Sequence, residues 1–463
     1  MGLFSSVAKA FGRKGTVTPP PTVALAPVVP QLPLSQQYQR IGGHLTPLQV
    51  SAIIQEADTG SLTRLVDLGN EVRQKECHIQ SLLGTREGAL AGLPWAVEPA
   101  VVPGAEQPAP EDVSVAAFVG NALRLAEGRG QESRSFIDTI SHLAGGIYFG
   151  HSTSEIEWDV NGANLVPVGF RPISQRRFIF DDDGRLKWYD GFGRRDAVDL
   201  TARYPDKFIT HQPRVNGDVP AREGLVRVLM WAALFRNWTL SDWMKLAELS
   251  WKPWRFGTYK GTANQEDIDD LVSAMERLTT NGFAVHSDQA DIKVEWPERG
   301  RGARSGHGEL CEFLAQEMSK CVLGQTLTVQ QGERGARSLG EVHDRVRRDI
   351  AEADAVAMSA TIRRDLIAPI VRMNFGTDVL IPSFRFITED TPDLGALARG
   401  VEGLVRAGLR IPAPWVRDKI GMPEPGEEDE ILVPPTTNQA APQDQPPVSE
   451  PAQGVQGPEP AQP

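Results

Sequence analysis

A long helical pattern over residues 222–249, carrying Trp231, Trp238 and Trp243, constrains the fold of this chain more than any other feature. At 1.5 Å per residue a continuous helix of that length reaches about 40 Å, enough to line the side of a large assembly. Asn237-Trp238-Thr239 is the point at which it could be interrupted, and the helix is read as one element over 222–250. Trp251-Lys252-Pro253-Trp254 ends the pattern, and a small α/β unit follows: strand 255–259, helix 265–278, then strands 282–286 and 292–296. The linker Arg299-Gly300-Arg301-Gly302-Ala303-Arg304 leads into a second amphipathic helix, with Leu310, Phe313, Leu314, Met318, Cys321 and Val322 on one face.

Composition sets the limits around this centre. A chain of 463 residues with 40% hydrophobic content can build two or three domains. Residues 1–35 run from a basic start into a Pro/Val/Ala stretch and read as a flexible arm that packs no core. Residues 434–463 are Pro, Gln, Ala and Glu-rich and read as a disordered tail. Cys77, Cys311 and Cys321 are an odd number without short paired spacing, which argues against a disulfide framework or a zinc knuckle and fits synthesis in a reducing cytosol. The most apolar run, 225–235, contains Arg227 and is far shorter than the roughly 20 residues needed to cross a bilayer. The formal net charge of −12 means that the chain as a whole repels nucleic acid, so any DNA contact has to come from local basic patches or be weak.

The remaining elements are mixed, which makes the fold class α+β. Thr46-Pro47 opens a helix to about Ala57, and a second helix runs through Leu65, Leu68, Val72, Ile79, Leu82 and Leu83. Gly92-Leu93-Pro94 breaks to a strand at Trp95-Ala96-Val97-Glu98, and helices are expected over 112–126 and 135–149. The period then changes from helical to alternating: Ile156, Trp158 and Val160, the turn Asn161-Gly162 and the return 165–170 spell a β-hairpin. A second hairpin is written in 177–189. Ser338-Leu339-Gly340-Glu341 reads as a capping box opening a helix to Asn374-Phe375-Gly376, kinked at Pro369. A strand at 383–387 and short helices over 394–407 and 413–420 complete the order.

The motifs with chemical potential are sparse. Asp181-Asp182-Asp183-Gly184 invites a calcium reading, but Trp188 and Phe192 fall where an EF-hand needs ligands, so a hairpin turn is the better account. The histidines make no metal constellation, and the chain has neither a GxSxG elbow nor a Walker A loop. No catalytic residue, cofactor or metal is therefore assigned. Gln330, Gln331, Arg334 and Arg337 sit in a Gly-punctuated loop between two helices that could touch phosphates; an ordinary solvated loop is the plainer alternative. Arg299, Arg301 and Arg304 are as easily linker as nucleic-acid contact. Trp231, Trp238, Trp243, Trp251 and Trp254 are packing residues by default and intersubunit contacts as the sharper option.

Several separated segments resemble, in order, the Mu-like phage portal proteins. They are Leu83-Gly84-Thr85-Arg86, Gly92-Leu93-Pro94-Trp95, Trp254-Arg255-Phe256-Gly257-Thr258-Tyr259, Leu323-Gly324-Gln325-Thr326-Leu327-Thr328, Ser338 to His343, Asp349, Ala353-Asp354-Ala355 and Asn374-Phe375-Gly376. The resemblance implies a portal fold: wing over 36–221 and 338–389, stem helices over 222–250 and 306–323, clip over 251–305, tunnel loop over 324–337 and crown over 390–433. It further implies a ring, usually of twelve copies, at a capsid vertex of the virion, through which double-stranded DNA passes during packaging and ejection. Implied partners are the terminase large subunit, major capsid or scaffold protein, and head-completion, adaptor and tail proteins. Trp251, Trp254, Tyr259, Arg299, Arg301 and Arg304 then fall in the clip as docking or intersubunit candidates. Met1-Gly2-Leu3-Phe4-Ser5-Ser6 fits a myristoylation pattern, but a phage host lacks the transferase. The competing class is a nucleic-acid-processing enzyme of the packaging machinery, a terminase or nuclease subunit, and ATPase and nuclease assays separate the two.

Overall fold

In the computed structural model, residues 23–30, 45–189, 197–215, 217, 219–250, 254–259, 262, 264–281, 290–295, 306–325, 336–388 and 394–421 are described. The first helix, α1 (Pro47–Asp58), begins at a capping box in which Thr46 Oγ1 accepts from Gln49 N at 3.3 Å and Gln49 Oε1 accepts from Thr46 N at 2.9 Å. Two helices follow, α2 (Thr63–Lys75) and α3 (Cys77–Ala91), where the periodicity predicts one. The break falls at Glu76, which is extended (φ −99°, ψ 94°) and caps α3 by accepting from His78 N. Its carboxylate also pairs with Arg236 of a distant helix, a tertiary contact that outweighs helical continuity.

Next come β1 (Trp95–Glu98), α4 (Pro110–Arg124), α5 (Phe136–Ala144), α6 (Gly146–Phe149), β2 (Ser152–Asn161) and β3 (Asn164–Ile173). The β2–β3 hairpin turns through Gly162-Ala163, one residue later than the expected Asn161-Gly162 turn, with Asn161 paired to Asn164 and Gly162 at φ 64°, and it carries a register shift between Glu157 and Trp158. A shorter hairpin pairs β4 (Phe178–Phe180) with β5 (Leu186–Trp188) across the Asp181 turn, where the Asp181 carboxylate accepts from Asp183 N and Arg185 N. After α7 (Leu200–Arg203), β6 (Phe208–His211) joins β2 to give a three-stranded antiparallel sheet in the order β3-β2-β6.

The later part of the chain supplies α8 (Val226–Ser250), β7 (Trp254–Tyr259), α9 (Gln265–Asn281), β8 (Ala290–Glu295), α10 (Gly306–Leu323), α11 (Ala336–Ile362), α12 (Ala368–Phe375) and β9 (Ser383–Phe386). Strand β9 returns to pair with β1, Trp95 opposite Phe386. Helix α11 begins at Ala336, two residues before the expected capping box, because Ala336 and Arg337 are themselves good helix formers. Between α11 and α12, residues Arg363–Ile367 form a π turn directly ahead of Pro369, whose missing N–H disrupts the regular ladder at this place.

Two cores organise these elements. One gathers α4, α5, the sheet, α11, α12 and β9 around Phe118, Phe136, Ile156, Phe170, Met358 and Phe384. The other joins α1, α2 and α3 to the start of α8 and the end of α10. A third, smaller cluster contains Val29 with Ile173, Phe178, Leu200 and Phe208. Val29 corrects the expectation that the whole N-terminal stretch packs no core. The segment 23–30 is seated on the sheet because buried charges take its main-chain groups: Glu155 accepts from Val28 N at 2.6 Å, and Arg171 and Lys207 donate to Val29 O and Leu25 O. Burial raises the Glu155 carboxyl above its ordinary value, against the opposing pull of the Val28 N–H and Lys207.

A separate unit begins after Thr388. It contains α13 (Leu394–Arg406) and α14 (Ala413–Ile420). Helix α13 ends in a Schellman motif, with Gly408 at φ 91°, Leu409 N donating to Leu404 O and Gly408 N donating to Val405 O.

Candidate channel helices and the root of the loop

Helix α8 is continuous for 25 residues, about 37 Å. The helix runs unbroken through Asn237-Trp238-Thr239, where the side chains of Trp238 and Thr239 find partners that leave it intact. Trp238 Nε1 donates to Leu45 O at 3.0 Å, and Thr239 Oγ1 donates to Phe235 O one turn back at 2.8 Å. Helix α10 packs along α8.

The pair is rooted by its inner end. Val226, Leu229, Met230 and Leu234 of α8 and Met318, Val322 and Leu323 of α10 are all buried in the second core. Charged groups fix the same end to the first three helices. Arg227 donates to Asp58 Oδ1 at 2.8 Å and to Ala221 O at 2.6 Å, and burial pulls its pKa below the ordinary arginine value against the attraction of Asp58. His78 Nε2 lies 2.9 Å from Ala315 O and 3.0 Å from Ser319 Oγ of α10. Burial likewise raises the Cys321 thiol.

The outer end is different. Trp243 and Leu246 of α8 and Leu310 of α10 are exposed, Met244 is 67% exposed and Phe313 is 54% exposed. Beyond it lies the α/β unit, in which β7 pairs antiparallel with β8, Trp254 opposite Glu295 and Tyr259 opposite Ala290. Helix α9 packs Leu271 and Met275 so closely on Gly257 that a Cβ there would meet Met275 Sδ at 2.6 Å. Its other face presents Glu266, Asp269 and Asp270 to solvent.

At the inner end, the chain leaves α10 through Gly324, at φ 69° and pressed on α11, where a Cβ would meet Val346 Cγ1 at 2.8 Å. Gln325 follows, almost fully buried. Arg86 of α3 spans the junction. Its Nε and Nη2 donate to the two Asp354 oxygens of α11 at 2.7 and 3.0 Å, and its Nη1 donates to Val322 O of α10 at 2.9 Å. Sequence reasoning singled out none of Arg86, Gly324, Gln325 or Asp354 as a site residue, although all four stand in segments that carry the family resemblance. A further such segment is structural: Asn374 accepts from Leu165 N and donates to Leu165 O, both at 2.8 Å, clamping α12 to β3.

Of the expected site residues, Trp254 and Tyr259 stand at opposite ends of β7, and Arg337 lies in the first turn of α11. Trp251, Arg299, Arg301, Arg304, Gln330, Gln331 and Arg334 lie outside the described residues. Among the described residues, no group of His, Cys, Asp and Glu could hold a metal ion, and no helix is long and apolar enough to cross a membrane.

With this geometry in place, comparison with known proteins defines the class, that of phage portal proteins. Residues 66–422 match the family described as the portal protein of Mu bacteriophage, and the chain belongs to that family. It is 28% identical over 392 residues to the portal protein of Escherichia phage Mu, covering 84% of this chain and 73% of that relative. It is also 28% identical over 419 residues to the Mu-like prophage FluMu protein gp29 of Haemophilus influenzae, covering 87% of this chain and 75% of that relative. Among solved structures, a chain in the neck of a native gene transfer agent particle, computed with C12 symmetry, matches with 17% identity and a TM-score of 0.49, covering 79% of this chain and 94% of that one.

Proposed function

We propose that copies of this chain close into a ring at a capsid vertex, with α8 and α10 as the stem around a channel for double-stranded DNA. The observation that carries this reading, beside family membership, is the outer half of the helix pair. A protomer that buries the inner half of α8 in its own core and leaves Trp243, Met244, Leu310 and Phe313 in water has a surface suited to a neighbouring copy. A head-to-tail interface repeated around an axis closes such a ring with one pair of surfaces.

The segment 324–337 is the tunnel loop in this reading, with Gln330, Gln331, Arg334 and Arg337 facing DNA. The α/β unit over 251–305 is the clip, where Trp251, Trp254, Tyr259, Arg299, Arg301 and Arg304 serve docking or intersubunit contact with a terminase during packaging and with adaptor and tail proteins afterwards. The family is structural, and the energy for packaging comes from the docked motor. A net charge of −12 suits a conduit, because each phosphate neutralised adds affinity and so friction.

Electron micrographs of the purified protein test the reading: rings with a central hole are expected, and a solely monomeric species across assembly conditions contradicts it. Arg334→Glu with Arg337→Glu is expected to leave those rings intact while lowering DNA packaging or retention. Unchanged packaging and retention would remove the loop from the mechanism.

A further inference from the structure

The sheet β3-β2-β6 brings three charged side chains together beneath the segment 23–30. In its register Glu155 of β2 stands opposite Arg171 of β3 on one side and Phe208 of β6 on the other, and Lys207 directly precedes that phenylalanine. Glu155 and Lys207 are fully buried and Arg171 nearly so, and both cations stand 3.8 Å from the Glu155 carboxylate. Shorter bonds reach that carboxylate from the main chain of the segment: Val28 N donates to Oε1 at 2.6 Å and Val29 N to Oε2 at 3.3 Å. The cations take the carbonyls of the same segment. Lys207 donates to Leu25 O at 3.4 Å, Arg171 to Val29 O at 3.5 Å and Arg177 to Pro30 O.

The segment adds little apolar cover of its own. It forms neither helix nor strand, and Val29 alone among its residues is buried, against Ile173, Phe178, Leu200 and Phe208. Pro27 and Pro30 have no N–H, so the two donors between them both go to one carboxylate. Bonds to ionised groups are stronger than neutral ones, and here they hold an extended main chain to charges fixed by the sheet. A cavity of about 630 Å³ lined by Pro30, Glu155, Arg171 and Arg177 gives water a way to those charges when the segment leaves.

We propose that this face of the sheet is a peptide-recognition site for an extended Pro-x-x-Pro segment, and that residues 23–30 of the chain are its ligand, a strap that leaves and returns without unfolding the body. Glu155 reads the paired N–H groups, Lys207, Arg171 and Arg177 read the carbonyls around them, and the pocket of Ile173, Phe178, Leu200 and Phe208 reads the β-branched side chain.

The test uses the full chain with Val28→Pro and Val29→Pro, which removes both N–H groups from the strap and leaves the site itself unaltered. Elastase cleavage between Ala24 and Leu25, located by mass spectrometry, should become about tenfold faster than in the wild type, since a hydrogen bond to a charged group supports a factor of that size. The vacated site should take a fluorescein-labelled peptide of sequence 23–30, read by fluorescence anisotropy, about tenfold more tightly than the wild-type chain, whose own strap competes. The same peptide N-methylated at Val28 and Val29, with its side chains unchanged, should lose that binding. Equal cleavage in the two chains overturns the strap, as does a variant that no longer melts cooperatively, which would make the segment part of the core. A variant that binds the peptide no better than the wild type, or binds the N-methylated peptide equally well, overturns the recognition site.

Discussion

Both halves of α8 carry large apolar side chains, and these end up in different places. Leu229, Met230 and Leu234 are buried in the core of their own protomer, whereas Trp243, Met244 and Leu246 are exposed. An apolar residue on this helix is therefore not by itself a core residue of the protomer. Topology makes the distinction: α1, α2 and α3 cover the inner end, and among the described residues the outer end packs against α10.

If that contrast is right, damage to the body and damage to the outer helices have separable consequences. The largest effect comes from acid. Burial holds His142, His151 and His211 at about 4, below their ordinary 6.5, so each disfavours protonation in the folded state. Arg134 adds to this at His142, and Arg364 adds to it at His211. A depressed histidine contributes stability that is present in full above pH 6.5 and is lost as pH falls toward 4, roughly 3 kcal/mol for each at most. Thermal melts between pH 7.5 and 4 should show the midpoint falling through this window. A flat profile would mean that these histidines are hydrated or paired. Next in size is Leu229→Ala at the inner end, expected to cost about 2–5 kcal/mol as a core cavity, measured by denaturant unfolding. A cost below about 1 kcal/mol would show that the inner end is not a packed core. Smallest is Met244→Asp at the outer end, which should change protomer stability by less than about 0.5 kcal/mol, like other surface substitutions.

Much of the fold was legible where local rules decide it. The capping box at Thr46, the β-hairpin around Gly162 and the second amphipathic helix with Leu314, Met318 and Val322 buried are all set by residues close in sequence. What was not legible depends on partners far along the chain. The Glu76 break answers to Arg236, the intact α8 to Leu45, and the seated segment around Val29 to Glu155 and Lys207. The site divides in the same way. The helices and the α/β unit could be located from periodicity. The Arg86–Asp354 pair could not, since an arginine and an aspartate 268 residues apart carry no local signal of pairing. Its two residues stood out only as members of segments shared with a family.

The claim that the outer helix face is an intersubunit surface is tested most directly by measuring the mass in solution of the wild-type chain beside Trp243→Asp with Met244→Asp. The account expects a closed oligomer for the wild type and a folded, smaller species for the variant, with little change in thermal midpoint. Equal masses for the two chains would contradict it.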